Sequence, residues 1–192
     1  MLIRSRQSGD TLIEVMLSVV ILSTVTLGGF SIMNKGLAIS YGVLERTETR
    51  SVVSQQIELV GYIRDQYALA AATGSGAGVY PATLWTDIRD NRDSDLAASV
   101  TSSPVNCLPT TGSKPFFIER NTGDTAYQLT TYNPLNTPTT IPAPGKGLWI
   151  EAVPSPASVA VGYIDLYVKA CWDSVTGTQK ETISSTVRLY DR

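Results

Sequence analysis

The chain has 192 residues, a formal net charge of −2, 43% hydrophobic and 17% charged residues, and no histidine. That length suits one membrane segment and one domain, and the near-neutral balance without a basic block gives no sign of a nucleic-acid surface. The lack of histidine excludes Ser-His-Asp and Cys-His catalysis and any His-ligated metal.

Met1–Gly9 is a short basic leader with Arg4 and Arg6. Asp10-Thr11-Leu12-Ile13-Glu14 follows, and no charged side chain occurs from Val15 to Asn34. A helix over that run rises about 30 Å, the thickness of a hydrocarbon core. The arginines keep the amino terminus in the cytoplasm and send the remainder outward. The run is too long for an ordinary signal-peptide core, and it lacks a good A-x-A site. A plain membrane anchor leaves Glu14 unexplained, because a charge at that depth is costly and needs a partner or a task.

Gly9-Asp10-Thr11-Leu12-Ile13-Glu14-Val15, with the basic leader before it and the apolar run after it, resembles the processing site of type IV pilins and pseudopilins. The resemblance covers the first 35 residues. It implies cleavage after Gly9 by a prepilin peptidase and methylation of the new amine at Asp10. It also implies four parts: a leader at 1–9, a membrane and filament-core helix at 10–34, an amphipathic continuation at 35–72 and a globular head at 73–192. Other pilin subunits, the assembly platform and its ATPase, and the inner membrane before assembly are the implied partners, with no cofactor and no nucleic acid. The residue after the cut is usually phenylalanine. Asp10 departs from that pattern, places a carboxylate beside the new amine and points to a minor subunit.

The resemblance gives Glu14 a register role, facing the amine of a neighbouring subunit. That amine has a reference pKa of about 7.7–8.0 and is largely cationic at neutral pH. Two charges in apolar surroundings are far less costly paired than apart. Asp10 competes for the same amine, and a lone carboxylate that snorkels or stays protonated is the plainer reading of Glu14. Gly28-Gly29 costs about 2 kcal/mol against two alanines in a helix. The pair reads either as a melting or bending point of the stem or as a close contact with another membrane helix.

Beyond Asn34 the helix is expected to continue to Ala72. Val53, Ile57, Val60, Ile63, Tyr67 and Ala71 recur at spacings of three and four, with Glu58 and Asp65 on the other side. Thr73–Gly78 stops the helix, its glycines serving as C-cap and turn. Gly74-x-Gly76-x-Gly78 follows a helix instead of a strand and is no dinucleotide fingerprint. Thr83–Arg89 reads as a short helix. Asn91, Asp93 and Asp95 alternate like the start of a calcium loop, but Leu96 stands where glycine is needed and no glutamate lies near Ser102, so the segment reads as a solvated loop.

From Lys114 the pattern turns to strands: Phe116–Arg120, Ala126–Tyr132, Leu148–Val153, Val159–Trp172 and Thr182–Tyr190. Asn121-Thr122-Gly123-Asp124 reads as a hairpin turn, and the Pro-rich Asn133–Gly147 as a surface loop. Val159–Trp172 reads as a central strand. Ile183, Val187 and Leu189 are expected to be buried. The fold class is α+β: a long helix on an antiparallel sheet of four to five strands, connected as a meander, in a pilin-like roll.

Cys107 and Cys171 have no C-x-x-C spacing, which argues against zinc or a thioredoxin-like site. In an exported domain they read as one disulfide, worth about 4 kcal/mol by chain entropy; two buried free thiols is the alternative. Three functions follow in order: a pilus subunit, with a secretion or DNA-uptake pseudopilin as its close sibling; a tip subunit that binds a target through Val79–Leu108 and Asn133–Gly147; and, last, an enzyme, for which no G-x-S-x-G, S-x-x-K, P-loop or H-E-x-x-H occurs.

Overall fold

In the computed structural model, residues 10–74, 78–90, 107–120, 126–132, 147–156, 162–174 and 180–190 are described. The first element, α1 (Asp10–Thr73), is a single helix of 64 residues, about 95 Å long. It ends one residue beyond the expected Ala72. Gly74 follows with a φ of 69°, the left-handed cap conformation that glycine adopts without penalty. A second helix, α2 (Ala82–Asp90), brackets the expected Thr83–Arg89.

Five strands follow: β1 (Phe116–Arg120), β2 (Tyr127–Thr131), β3 (Gly147–Pro154), β4 (Tyr163–Asp173) and β5 (Lys180–Tyr190). They form one antiparallel sheet in the order β2-β1-β3-β4-β5. This order corrects the expected meander. β3 lies beside β1 instead of β2, so the connection after β2 crosses β1. The expected hairpin turn at 121–124, most of the Pro-rich loop and the calcium-like stretch at 91–95 lie outside the described residues.

One face of the sheet covers α1 and α2. Leu148, Ile150 and Ala152 of β3 and Ile164, Leu166, Val168 and Ala170 of β4 meet Val53, Val60 and Ile63 of α1 and Trp85 and Ile88 of α2. The stripe on α1 matches expectation except at its end: Ala71 is exposed, because the helix has by then run past the sheet. Ile183, Val187 and Leu189 are half-buried instead of buried. β5 is an edge strand, and only one neighbour and the flank of α1 cover it.

α1 and β5 run alongside in the same direction. Arg46 Nε donates to Glu181 Oε2 at 2.7 Å near the start of β5, and Arg64 Nε donates to the Tyr190 carbonyl at 3.2 Å at its end. The helix also fills a gap in the sheet. β1 and β3 meet at a single pair, Phe116 with Ile150. Further along β1, the buried Gln56 of α1 takes both backbone groups of Ile118: its Nε2 donates to the Ile118 carbonyl at 2.8 Å, and the Ile118 N–H donates to its Oε1 at 3.0 Å. One carboxamide thus supplies the donor and the acceptor that a paired strand residue would.

The opposite face is covered near β1 and β3 by the segment from Cys107 to Pro115. Cys107 is disulfide-bonded to Cys171, with a Cα–Cα distance of 5.2 Å. Phe117, Tyr132, Trp149 and Cys171 form a second apolar cluster here. Tyr132 and Trp149 have ring centroids 5.3 Å apart, and burial pushes the Tyr132 phenol up. A Cβ on Gly147 would sit 2.6 Å from the Tyr132 hydroxyl, so a larger residue there would have to displace this ring pair. Between the strands lies a buried ion pair, Lys169 Nζ to Glu151 Oε2 at 2.8 Å. The other Glu151 oxygen accepts the Thr110 N–H at 2.7 Å and the Ser113 hydroxyl at 3.0 Å. Gly112, with a φ of 85°, makes the turn that aims both donors at it.

Candidate functional site

The feature that calls for a function is the amino-terminal half of α1. From Leu12 to Leu44 every large apolar side chain is exposed. The helix is apolar on all sides over about 50 Å, far more exposed apolar surface than a soluble monomer carries. This half projects beyond the sheet, which covers α1 only from about Thr49 onward. Its hydroxyls are turned inward on the helix itself: Ser18 donates to the Glu14 carbonyl at 2.8 Å, Ser23 to Val19 at 2.7 Å and Thr24 to Ile21 at 2.9 Å, and Thr26 bonds the Leu22 carbonyl. A hydroxyl satisfied in this way can enter an apolar phase without a lost hydrogen bond.

Glu14 sits on this surface one helical turn after Asp10. It is exposed, and among the described residues no cation approaches its carboxylate. The start of a helix is a favourable place for an acid, since the macrodipole is positive there. Asp10 opens the helix, while Gly9 lies outside the described residues. Gly28 and Gly29 stand within unbroken helix, and a Cβ at either would meet nothing within 4 Å. Asp10 and Glu14 stand four residues apart on α1, and Gly28 and Gly29 lie further along the same helix. Cys107 and Cys171 are joined elsewhere, in the head.

A family model described as the prokaryotic N-terminal methylation motif matches residues 4–30. The chain carries this motif at its amino terminus, which supports a resemblance to type IV pilins and pseudopilins. The match spans the leader and the exposed start of the stem, and none of the head. No curated protein matches the chain, and no solved structure does. In a pilin-like protein this motif points to a structural role, to assembly with other pilins and to processing by a prepilin peptidase. The long apolar helix fits an inner-membrane anchor.

The neck, where the stem enters the head, is tied by Arg46 and Glu181. Their hydrogen bond holds the Glu181 carboxyl below the usual carboxylate range. A depressed carboxylate stabilises the fold above its unfolded value, about 4.3, and that contribution is lost as pH falls through the lower folded value. Since Arg46 is well exposed, the effect is small. In thermal melts of the full-length protein in detergent, wild type is expected to exceed Glu181→Gln slightly at pH 6, with the two curves converging near pH 3. Parallel curves over that range would show that the neck contact does not titrate.

Sequence reasoning missed Gln56, Glu45 and the Glu151–Lys169 pair. The signals were present for two of them. Gln56 lies three after Val53 and four before Val60, a core position in the stripe, and Glu151 interrupts the apolar run of β3.

Proposed function

We propose that this protein is a structural subunit of a type IV pilus, a minor pilin, cleaved after Gly9 by a prepilin peptidase, N-methylated at Asp10 and assembled through its exposed stem into a surface filament. The observation that carries the proposal is the stem itself, apolar all round from Leu12 to Leu44 behind a methylation motif. Such a helix is stable in a bilayer before assembly and among other stems after it. The platform protein and assembly ATPase act on it between those two states, and the head faces outward.

In this reading Glu14 pairs with the freed amine of an adjacent subunit, which fixes axial register between otherwise featureless helices. Gly28-Gly29 is the place where the stem bends or melts on assembly. The mature protein is expected to begin at Asp10, with one added methyl group on its amine, and to be recovered from sheared filaments; mass spectrometry of that fraction reads both. An intact leader in cells that make filaments would overturn the proposal. Glu14→Ala is expected to be inserted and cleaved like wild type but to fall at least about tenfold in the filament fraction, the scale of one lost charge pair. Wild-type recovery of that variant would remove the register role.

A further inference from the structure

The packed half of α1 keeps an uncovered back. Val53, Val60 and Ile63 turn into the head, while Tyr62 and Leu69 stand on the side away from the sheet at 48% and 57% exposure. Seven residues are close to two turns, so these two share a face. Glu58 lies one turn below Tyr62. It is exposed, and among the described residues no cation approaches it.

A complementary surface lies lower on the same helix. Lys35, Ala38, Ile39, Gly42 and Val43 line an apolar recess beneath Arg46 and Glu181. Lys35, at its foot, is exposed and meets no carboxylate among the described residues. The two surfaces cannot meet within one chain, because they lie on one continuous helix.

Their spacing fits a second copy. Tyr62 follows Lys35 by 27 positions, and Leu69 follows Gly42 by 27. That interval is about seven and a half turns and about 40 Å of rise, so the members of each pair lie on opposite sides of α1. A copy raised by about 40 Å beside another, with little turn, therefore sets Lys35 against Tyr62 and Gly42 against Leu69 together. We propose that copies of this chain stack in this way, the uncovered back of one α1 seated in the neck recess of the next copy up; this rests on the filament reading above. Copies then follow one another along the fibre instead of standing singly among other subunits.

Leu69 enters the gap over Gly42 between Ala38 and Ile39 and loses its exposure to water. Lys35 lies over the Tyr62 ring as a cation on an aromatic face, with the Glu58 carboxylate one turn below within its reach. These charges fix a level that apolar contact alone leaves free. Thr73, the last residue of α1, comes level with Arg46, so the lower helix ends where the upper head begins. Each copy offers one surface upward and the other downward, a heterologous contact that does not close on itself.

The test places Gly42→Cys and Leu69→Cys in two separately tagged full-length copies in filament-forming cells. Gly42→Cys with Tyr62→Cys, about 10 Å out of register, is the control. The expected result is a mixed disulfide dimer at least about tenfold more abundant for the first pair than for the second. In parallel, Lys35→Glu is expected to lower filament recovery several-fold, and adding Glu58→Lys to restore it. Equal yields from both pairs, no dimer in filaments that contain the processed protein, or an exchange that restores nothing overturns the stacking and leaves the filament reading intact. Absence of the processed protein from filaments overturns both.

Discussion

Glu151→Ala is expected to lower the unfolding free energy by about 3–5 kcal/mol, the cost of leaving a buried charge without its partner. The variant does three things at once. It removes the Glu151 carboxylate from beside Lys169, which is 3% exposed, and it removes the acceptor shared by the Thr110 N–H and the Ser113 hydroxyl. It also leaves the disulfide from Cys107 to Cys171 as the main tie between that segment and the sheet. Urea unfolding of the full-length protein in detergent, followed by tryptophan fluorescence, measures the loss, since Trp149 lies on the same strand face. The paired replacement Glu151→Leu with Lys169→Met is expected to lose much less, because it removes both charges together. A loss below about 1 kcal/mol for Glu151→Ala would place the pair in the class of weak surface bridges.

Gln56→Ala is the second large effect, at about 2–4 kcal/mol. Two buried backbone groups of Ile118 lose their partners, and each unsatisfied group costs about 1–3 kcal/mol. Gln56→Leu is expected to be nearly as damaging, since it restores volume but neither hydrogen bond. Gln56→Glu offers an acceptor without a donor and falls between. Gln55 is exposed, and Gln55→Ala is expected to change stability by less than about 0.5 kcal/mol. Equal behaviour of Gln55→Ala and Gln56→Ala would show that β1 needs no stitch from the helix.

Most of the architecture was legible because periodicity reports burial. The three-four stripe from Val53 to Tyr67 located the packed half of α1, and short runs rich in aromatic and β-branched residues located the strands, as for Phe116–Arg120. Strand order was less legible. A hairpin from β1 to β2 follows from proximity, but nothing local says that the chain then crosses β1 to reach β3. Ala71 shows a related limit: its spacing is right, yet the sheet has ended. On the stem, the motif around Glu14 was readable as a pattern of residues, and the exposure from Leu12 to Leu44 gives it a physical setting. Gln56, Glu45 and Glu151 were not read, because polar residues among apolar ones take their meaning from partners distant in sequence.

The parallel course of α1 and β5 has a mechanical consequence. Arg46 and Arg64 are 18 residues apart on the helix, and Glu181 and Tyr190 are nine apart on the strand, so both intervals span about 27–30 Å. When the stem is pulled along its axis, these contacts are loaded in shear, all together, instead of being peeled one after another. The strand splints the helix over the stretch where the head is attached. Extension is therefore concentrated in the stem below Arg46, where α1 has no such brace among the described residues, and little of the tension passes through the core of the head.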